Sequence, residues 1–520
     1  MADKIATDQP AVSAQQFGLL AGSIFIIAAC SLIYELLISS LSTYLLGSSV
    51  IHYSLTIGLF LFFMGVGAWF SQSITRNLVA VFVSIEIAIG AVGGVSAMVL
   101  YGVYTWSDFY YPAMLMVVAA IGILVGMELP LLTRILESYS GLRRGISQVL
   151  TFDYLGALLA SLLFPFVLLP YLGHLLTAGA IGLVNLLIAS IVAWSFRDRL
   201  GSWLSPIAIG AGFSLLLIVT TSLWSNSAAR VFDNALYEDP VIYTEQTRYQ
   251  KIVMSKLGDD LRLYLDGNLQ FASSDEYRYH ETLVHLPALF TDKLQRALVI
   301  GGGDGLAARE LLNYPEVESI TVVDLDPAIT ELSASHSQLI SLNRNALSDP
   351  KVSVINDDAW HWLVTSGDLF ELIIVDLPDP ENEDVAKLYS VAFYERLSRR
   401  LSVGGVMITQ ATSPWFARRA FWSIGATIEN VFEYVKPATA YVPSFGLWGF
   451  FVGSHTPLEP ARAPFEGSYI NNSSWQNRLQ MPTDLPRLDV DINHGETLPV
   501  IRYYREGWES LNGAVTPAVE

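Results

Sequence analysis

The stretch ALVIGGGDGLAARELLNYPEVESITVVDLDP, residues 297–327, decides the fold of the second half of this chain. A short apolar run, 297–300, is typical of a buried strand, and 306–312 has apolar residues three and four apart, as in a helix. A second apolar run, 320–323, ends in acidic residues. The glycines between the first strand and the helix allow positive φ angles and close approach of a ligand. The pattern predicts a βαβ unit with a nucleoside site, in which the acid after the second strand holds the ribose.

The 520-residue chain is too long for one domain, and its composition changes near residue 225. Residues 1–225 hold long apolar runs with nine acidic and seven basic side chains, so 17 of the 19 net negative charges lie in residues 226–520. An acidic second half argues against nucleic acid as a partner. It fits a cationic substrate, or simply solubility. The single cysteine, Cys30, excludes a disulfide within one chain.

Seven segments of the first half are long and apolar enough to cross a bilayer, which needs about 20 such residues. They are 17–46, 51–71, 78–102, 112–134, 146–170, 172–195 and 204–224. The first segment lacks a basic flank and is followed by six more, so it is not a cleavable signal peptide. We therefore expect a multi-pass protein of a bacterial-type plasma (inner) membrane, with the lipid bilayer as a partner.

The basic residues of the short loops predict the orientation of these spans. They lie after spans two, four and six: Arg76, Arg134, Arg143, Arg144, Arg197 and Arg199. The amino terminus and these loops should therefore be cytoplasmic. Seven crossings then place the carboxy-terminal half outside the cytoplasm.

Four carboxylates lie in or near the spans: Glu35, Glu86, Glu128 and Asp153. An acid inside hydrocarbon is costly and is therefore a candidate functional group. Glu128 and Asp153 flank the Arg-rich fourth loop, which favours ion pairs with its arginines. Glu35 and Glu86 fit either a cation path or neutral, hydrogen-bonded acids that fix helix packing.

A small antiparallel β unit is expected after a polar join at 225–234. The segments VIYTEQTRYQKIVMSKL (241–257) and LRLYLDGNLQFAS (261–273) alternate like strands, with a turn at Asp266-Gly267. The next segment, SSDEYRYHETLVHLPAL (273–289), has helical spacing and a Ser or Asp cap. Further strands are expected at 352–355, 372–375, 405–410, 438–441 and 448–452, with a helix around 391–401. These elements predict an open, Rossmann-like α/β sheet of the methyltransferase type.

The predicted organisation has five parts. They are a tail (1–16), a transmembrane helical domain (17–225), the β unit with its linking helix (235–290), the Rossmann-like domain (291–455) and an extension (456–520). The extension is rich in Pro, Asn and acids, and the sequence assigns it no mechanism. We expect it to cap the preceding domain.

Acidic residues follow the predicted strands, where doubly wound sheets bind their ligands. Asp304 is unusual in such a glycine turn, because S-adenosylmethionine, the ligand of methyltransferases, carries an α-carboxylate that it would repel. Asp304 suits a ligand that has lost this carboxylate and presents an ammonium instead. Asp376 and Asp379 in DLPDP can hold a diamine, and one of them can accept the proton that an amine must lose to attack.

The ordered motifs of residues 236–455 are together highly specific. VIGGGDG, YHETLVHLPAL, NDDAW, DLPDP with YSVAFYERL, and VGGVMITQ resemble the polyamine aminopropyltransferases, the family of spermidine synthase, and IYELL and VPSFGLWGF resemble its membrane-fused branch. The resemblance implies transfer of an aminopropyl group from a co-substrate, decarboxylated S-adenosylmethionine, to putrescine, which gives spermidine and methylthioadenosine. It implies no cofactor and no metal, and it leaves a homodimer open.

The resemblance also implies a role for particular residues, carried over by position. Asp376 matches the proton acceptor. Asp304, His280 and Asp379 match contacts to the polyamine or to the aminopropyl group. The positions that line the nucleoside are matched by Gln250, Gly301, Gly303, Asp324, Asp358 and Ala359.

Each of these residues, taken singly, also has an ordinary structural interpretation. Gln250 fits a strand residue, His280 a helix histidine, and Asp376 and Asp379 turn acids beside prolines. Tyrosines 249, 277 and 279 are interpreted as packing residues. The joint order of the residues along one sheet favours the functional interpretation.

Four features depart from the family. Asp324 stands where Glu is usual, and Ala359 where Gly is usual. The segment ENEDVAKLYS (381–390) lacks the usual Gly-Pro-containing gate, which indicates a less ordered gate or a different amine. Phe445 occupies a segment where Tyr is common, and it cannot donate a hydrogen bond. The last two departures concern the amine rather than the donor.

Two other functions stay open on the sequence. An S-adenosylmethionine-dependent methyltransferase would use the same fold, although Asp304 and the DLPDP pair count against it. A polyamine transporter or sensor with a non-catalytic synthase-like domain would use the intramembrane acids.

Overall fold

The computed structural model describes residues 14–46, 49–107, 109–140 and 142–509. The chain divides into two units, Met1–Val241 and Ile242–Glu520. The predicted tail lies outside the described residues up to residue 13, and so does the extension beyond residue 509. The finer predicted boundaries within each unit stay predictions.

The described part of the first unit consists of eight α-helices. They are α1 (Ala14–Leu46), α2 (Ser49–Ser71), α3 (Leu78–Trp106), α4 (Tyr110–Ser140), α5 (Leu142–Leu163), α6 (Leu169–Ser195), α7 (Arg197–Leu200) and α8 (Leu204–Leu236). Among the described residues, six segments are long and apolar enough to cross a membrane: 18–46, 51–71, 78–106, 110–137, 146–195 and 197–236. Five of them coincide with predicted spans, and 146–195 covers the fifth and sixth predicted spans together.

Helix α6 runs antiparallel to α1 along most of its length. Near the start of α6, His174 Nε2 lies 3.0 Å from Ser40 Oγ. At its end, the Ser195 carbonyl oxygen accepts from Gln16 Nε2 over 2.9 Å. The two contacts are 24 residues apart in α1, a rise of about 36 Å, so α6 alone spans the thickness of a bilayer core of about 30 Å.

Helix α5 runs along α1 in the opposite direction to α6. Gly156 of α5 contacts α1 at Phe25, because a Cβ at Gly156 would lie 2.2 Å from the Phe25 oxygen. The chain then reaches Ser40 of α1 by His174, so it moves from the start of α1 towards its end between residues 156 and 174. The chain reverses after a π-helical turn, Phe164–Leu168, which contains Pro165, and at Gly173, whose φ of 65° is not helical. Pro165 lacks the N–H that a regular turn needs. The segment 146–195 therefore doubles back on itself.

The helices of the first unit approach each other at glycines, as membrane helices do. A Cβ at Gly126 of α4 would lie 2.0 Å from the Met64 oxygen of α2, and one at Gly182 of α6 would lie 2.7 Å from the Gly90 oxygen of α3. Large apolar side chains are exposed on the outside of the helices, among them Phe62, Trp69, Met116, Phe213 and Leu223. Such a surface is unfavourable in water and suits hydrocarbon.

The expected ion pair between Arg134 and a buried acid is wrong. Arg134 donates to two carbonyl oxygens at the end of α2, over 2.8 Å to Ser71 and 2.7 Å to Ile74. A helix carboxyl end leaves such carbonyls unpaired and favours a cation. The side chains of Arg143 and Arg144 lie outside the described residues.

The acids of α3 and α4 meet each other instead. Glu128 lies within hydrogen-bonding reach of Glu86, and Glu86 accepts from Asn185 Nδ2 of α6 over 3.0 Å. Both carboxyl groups are buried. Two facing carboxyls need a shared proton or a cation between them.

The polar join expected at 225–234 is also wrong, because α8 continues through it to Leu236. Ser225, Ala228 and Phe232 are buried at spacings of three and four residues, so the helical burial pattern does not end at the last apolar run.

The second unit carries two sheets. The strands are β1 (Val241–Gln246), β2 (Lys251–Leu257), β3 (Asp260–Leu265), β4 (Asn268–Ala272), β5 (Arg296–Gly301), β6 (Ser319–Asp324), β7 (Val352–Asn356), β8 (Phe370–Asp376), β9 (Leu401–Gln410), β10 (Tyr434–Val442) and β11 (Gly446–Ser454). The helices are α9 (Glu276–Ala288), α10 (Leu306–Leu311), α11 (Pro327–Ser335), α12 (Ser337–Asn343), α13 (Ala359–Thr365), α14 (Glu383–Ala386), α15 (Val391–Ser398), α16 (Arg418–Glu429), α17 (Trp475–Arg478) and α18 (Pro499–Glu509).

The first four strands form the small sheet that the sequence predicts, in the order β1-β2-β3-β4. The turn between β3 and β4 is confirmed at Asp266-Gly267, where φ is 49° and 86°. Two successive positive φ angles define the type I′ turn that suits a two-residue hairpin.

The Rossmann-like sheet is confirmed, with the strand order β10-β11-β9-β8-β5-β6-β7 in the described residues. The strands from β9 to β7 are parallel, and β11 and β10 continue the sheet antiparallel. Alternate residues face two cores: Val299 packs with Leu283 of α9, while Leu298 packs on the other face with Phe393 of α15. Burial of both faces explains why these strands are continuous apolar runs.

The expected cap of α9 is only half right. Asp275 occupies the N-cap position, but its side chain caps no helical N–H. Its carboxylate accepts instead from the backbone N and Oγ of Ser444, over 2.6 and 2.9 Å. This bond ties the start of α9 to the turn between β10 and β11.

Candidate active site

The site lies where the direction of the sheet connections changes. Strand β5 has β6 on one side and β8 on the other, and all three are parallel. Their carboxyl ends meet at one edge and leave a crevice between oppositely directed connections. The register pairs Gly301 with Asp376, so the glycine turn and the DLPDP loop lie side by side.

The glycine turn is shaped by close contacts on both sides. Gly301 has a φ of 76°, and a Cβ there would lie 2.0 Å from the Asp376 carbonyl oxygen. A Cβ at Gly303 would lie 2.6 Å from Asp324 Oδ2, which accepts from the Gly303 N–H over 3.0 Å. Asp304 closes the turn, because its Oδ1 accepts from the Leu306 N–H over 2.9 Å.

Asp376 is held by a residue that the sequence assigned to packing. Tyr279 of α9 donates its hydroxyl to Asp376 Oδ1 over 2.7 Å. Burial, together with the charge of Asp304, raises the pKa of Asp376 to about 6, although His280 and Tyr279 oppose the shift. A tyrosine next to the predicted His280 on one helix was the signal that could have identified it.

His280 is buried, and its carboxylate neighbours favour the protonated imidazolium. Its Nδ1 donates to Glu276 Oε2 over 2.8 Å. Burial alone would lower the pKa of His280, but Glu276, with Asp304 and Asp376 nearby, raises it to about 9. An imidazolium repels an ammonium. The geometry therefore favours His280 as a counter-charge for Asp304 and Asp376 over the predicted direct contact to the polyamine.

A buried chain of ion pairs stands behind His280. Arg309 of α10 binds both oxygens of Glu276, over 2.8 and 3.0 Å. Arg309 also donates to Glu310 over 2.8 Å, and Glu310 lies 3.0 Å from His285 Nε2. Each charge in this chain has an opposite neighbour, which offsets the cost of burial.

Asp379 is anchored by the end of β9. Its Oδ1 accepts from Gln410 Nε2 over 3.2 Å, and its Oδ2 from Thr412 Oγ1 over 3.1 Å. Burial raises the pKa of Asp379 to about 6. Thr412 has a φ of 58°, which is rare for a β-branched residue and marks a strained position beside the site. Gln410 was missed, although a polar residue at the end of an apolar strand was its signal.

The residues predicted to line a nucleoside lie on the other side of the glycine turn. Both oxygens of Asp324 accept backbone N–H groups, from Gly303 and Asp326, each over 3.0 Å. Burial raises the pKa of Asp324 to about 6. Gln250, in the loop between β1 and β2, donates to Asp326 Oδ2 over 3.1 Å.

The end of β7 completes this side. Asp358 caps α13 by accepting from the Trp360 N–H over 2.7 Å, and Ala359 is buried behind it. The neighbouring Asp357 N–H donates to the Asp324 carbonyl oxygen over 3.1 Å. The six predicted nucleoside positions thus lie along the ends of β5, β6 and β7 and the β1–β2 loop.

The segment after DLPDP is folded rather than loose. Asn382 caps α14 by accepting from the Val385 N–H over 3.0 Å, and the buried Tyr389 donates to the Pro378 oxygen over 2.9 Å. Phe445 lies next to Trp448, with ring centres 5.1 Å apart and the ring planes tilted by 43°. The structure thus gives the segment a defined fold without the usual Gly-Pro, and both a less ordered gate and a different amine stay predictions.

The arrangement suits a dicationic amine and a proton transfer. Asp304, Asp376 and Asp379 give three carboxylates, whereas His280 supplies one positive charge. The remaining negative charge attracts an ammonium. A carboxylate whose pKa is raised towards neutrality is a stronger base than one in water and still ionised at pH 7.

We expect kcat/KM for the amine to fall about tenfold per pH unit below about pH 6. The pKa of Asp376 is raised, so its proton stays bound to a higher pH than in water, and the base is lost as the pH falls through about 6. Initial rates between pH 5 and 9 measure this limb. A flat profile down to pH 5 would contradict a role for Asp376 as base.

We expect Gly301→Ala to remove activity and to destabilise the second unit strongly. The new methyl group would meet the Asp376 oxygen at 2.0 Å, in a backbone with a φ of 76°. Gly404→Ala is the matched control, because Gly404 has the same φ of 76° with nothing within 4 Å of a Cβ. The control should cost only about 1–2 kcal/mol for the left-handed backbone. Calorimetric unfolding of both variants checks this, and equal losses would rule out the close approach.

Comparison with known proteins gives consistent matches. Residues 276–461 match the family described as "Spermine/spermidine synthase domain". The chain is 41% identical to a polyamine aminopropyltransferase of Leptospira interrogans over 490 residues, which cover 94% of this chain and 98% of the relative. It is 42% identical to polyamine aminopropyltransferase 2 of Ralstonia nicotianae, with 95% and 98% covered. Because these alignments run nearly end to end, the helical first unit has a counterpart in both relatives.

A solved spermidine synthase in complex with the transition-state analogue AdoDATO is similar to part of this chain. The two chains are 24% identical, with a TM-score of 0.45, and the match covers 47% of this chain and 86% of the solved one.

Proposed function

We propose a reaction for this chain from its membership of the polyamine aminopropyltransferase family. The protein transfers the aminopropyl group of decarboxylated S-adenosylmethionine to putrescine and releases spermidine and methylthioadenosine. Family membership decides against the methyltransferase alternative. The observation that carries the proposal is that Asp376 lies beside the glycine turn that holds Asp304, near enough for the charge of Asp304 to raise its pKa, with Asp379 three residues further along the same loop. Three carboxylates in this part of the fold suit the two ammonium groups of a diamine.

The proposed reaction is a direct displacement. The bound ammonium first loses a proton to Asp376, whose position is fixed by Tyr279. The neutral amine nitrogen then attacks the methylene carbon next to the sulfonium, the carbon–sulfur bond breaks, and its electron pair goes to sulfur. The sulfur leaves as a neutral thioether, so the reaction needs no acid on the leaving group.

The remaining residues bind and orient the two substrates. Asp304 attracts the amine end of the aminopropyl group, and Asp379 the far ammonium of putrescine. His280 keeps Asp304 and Asp376 ionised. The donor nucleoside lies along Gly301, Gly303, Asp324, Asp358, Ala359 and Gln250.

Product analysis by mass spectrometry tests the proposal. The detergent-purified full chain is given decarboxylated S-adenosylmethionine with putrescine, cadaverine, agmatine or spermidine. We expect methylthioadenosine in every productive reaction and spermidine from putrescine at the highest rate. Failure with all four amines, in protein shown to be folded, would overturn the proposal and favour the transporter or sensor alternative.

We also propose that the first unit is embedded in a membrane. The support is the set of six apolar segments in the described residues and the large apolar side chains on their outer surface. The reversal between α5 and α6 supports two crossings for residues 146–195, hence seven in all.

The number of crossings sets the side of the catalytic unit. With the basic loops in the cytoplasm, seven crossings place the carboxyl terminus outside it, whereas six would return it to the cytoplasm. A reporter fused to the carboxyl terminus separates the two. Activity of a reporter that works only outside the cytoplasm is the expected result. Activity of a cytoplasm-dependent reporter would overturn the seven-span topology.

A further inference from the structure

The carboxy-terminal extension reaches the acceptor end of the site. Its helix α18 places Tyr504 within hydrogen-bonding reach of Asp379. The next residue, Arg505, donates to the Glu381 carbonyl oxygen over 3.1 Å. The proposed reaction assigns no role to this helix, and the sequence alone assigns it no mechanism.

The position of α18 is fixed by a close backbone contact. A Cβ at Gly507 would lie 2.5 Å from the Phe416 oxygen and 2.7 Å from Ala417 Cα. Trp508 packs on Phe416, with ring centres 5.2 Å apart. Tyr504 precedes Gly507 by three residues and therefore shares its helix face. The contact at Gly507 thus directs Tyr504 towards Asp379.

Asp379 receives its third donor from this helix. Gln410 and Thr412 approach from the end of β9, over 3.2 and 3.1 Å, and Tyr504 approaches from α18. An ionised carboxylate only accepts hydrogen bonds, so three donors fix its orientation and leave one direction for a ligand. We place the far ammonium of the amine in that direction.

Glu381 lies beside Asp379 and is held by the same helix. Its carboxylate accepts from Asn268 Nδ2, over 3.2 Å to Oε2. Burial, and then the charge of Asp379, raise the pKa of Glu381 to about 7. Arg505 donates to the Glu381 backbone and forms no ion pair with its carboxylate in the described residues, so a cation bound beside this carboxylate would favour its charged form.

We propose that α18 completes the acceptor end of the amine site, with Tyr504 as a positioning residue for Asp379 and with Glu381 as a further contact for the far ammonium of the acceptor. The inference rests on the proposed function. It gives the extension a role in recognising the amine rather than the donor.

The test is a pair of tyrosine variants in the full chain. Tyr504→Phe should raise KM for putrescine about tenfold, with kcat and KM for the donor near wild type, because only one hydrogen bond to a charged group is lost. Tyr503→Phe is the control on the same helix. Tyr503 is buried and donates to Asp491 over 2.6 Å, away from the crevice. It should change the melting temperature and leave both KM values unchanged.

Three further variants separate contact from position. Glu381→Gln should raise KM for putrescine alone. Gly507→Ala should also raise KM for putrescine alone, because the new methyl group displaces α18 and with it the unchanged Tyr504. Gly495→Ala is its control, since a Cβ at Gly495 meets nothing within 4 Å. An unchanged KM for putrescine in Tyr504→Phe, or equal rises in both KM values, would overturn the proposal.

A wild-type protein that forms no methylthioadenosine would be a failure of the proposed function. The inference is then tested by calorimetric titration with putrescine alone. Weaker binding to Tyr504→Phe than to wild type supports it. Equal binding, or none to either protein, overturns it.

Discussion

Asp376→Asn should lower kcat about 10²- to 10⁴-fold and leave the protein folded, because the variant loses the base that takes the proton of the amine. Asparagine has the same shape and still accepts the hydroxyl of Tyr279, which lies 2.7 Å from Asp376 Oδ1. Burial raises the pKa of Asp376, so the charged form is disfavoured in the folded protein. Removing the charge should therefore leave the melting temperature at or above that of wild type.

Single-turnover rates with bound donor and saturating putrescine measure the chemical step in this variant. Asp304→Asn is the comparison within the site, and we expect it to lose binding of the aminopropyl amine as well as rate. Asp368→Asn is the control, because Asp368 is exposed before the opposite end of β8. A rate within threefold of wild type in Asp376→Asn would mean that Asp376 is not the base. Asp304 would then be the next candidate for that role.

The parts of the fold that the sequence predicted correctly are those set by near neighbours. The glycine turn at 301–305 and the hairpin at Asp266-Gly267 depend on backbone angles that few residues adopt, so a few letters identify them. Asp376 and Asp379 followed from a rule about parallel sheets, whose carboxyl ends meet at one edge. Helix α8 shows the limit of local patterns, because the polar residues that follow its long apolar run predict a join and are still helical.

The residues that were missed owe their position to tertiary contacts. Tyr279, Gln410 and Tyr504 are far apart in the chain, and each becomes part of the site only through a hydrogen bond to Asp376 or Asp379. The neighbouring residues mark Tyr279 and Gln410 as candidates at most, because they do not show which carboxylate each side chain contacts. The division of residues 146–195 into two spans, in contrast, was predicted from the sequence, and the contacts of α6 with both ends of α1 agree with it.

The charge of His280 is also a tertiary property. Burial by itself favours a neutral histidine, and the residue pattern does not show which charges surround it in the fold. Glu276 lies one turn earlier on the same helix, but it is held as an anion by Arg309, 33 residues away. The role of His280 at the site therefore depends on an arginine that no catalytic motif contains.

Glu276→Gln should destabilise the second unit by about 3–5 kcal/mol, because it leaves the buried Arg309 and His280 without their shared anion. The new amide would also direct its own N–H₂ group towards Arg309 or His280, which are themselves hydrogen-bond donors. Urea unfolding of the full chain, followed by tryptophan fluorescence, measures the loss. Glu316→Gln removes an exposed partner of Arg462 and should cost at most about 1 kcal/mol.

The same substitution should also move the acid limb of the pH profile. Without Glu276 the pKa of His280 falls, the imidazole becomes neutral, and Asp304 and Asp376 lose the positive charge that opposes their protonation. The pKa of Asp376 then rises further above about 6, so activity is lost at a higher pH than in wild type. Glu310→Gln is the matched control, because Glu310 binds Arg309 and His285 but not His280. It should destabilise the fold and leave the limb in place. An unshifted limb in Glu276→Gln would mean that His280 does not act as a counter-charge for Asp304 and Asp376.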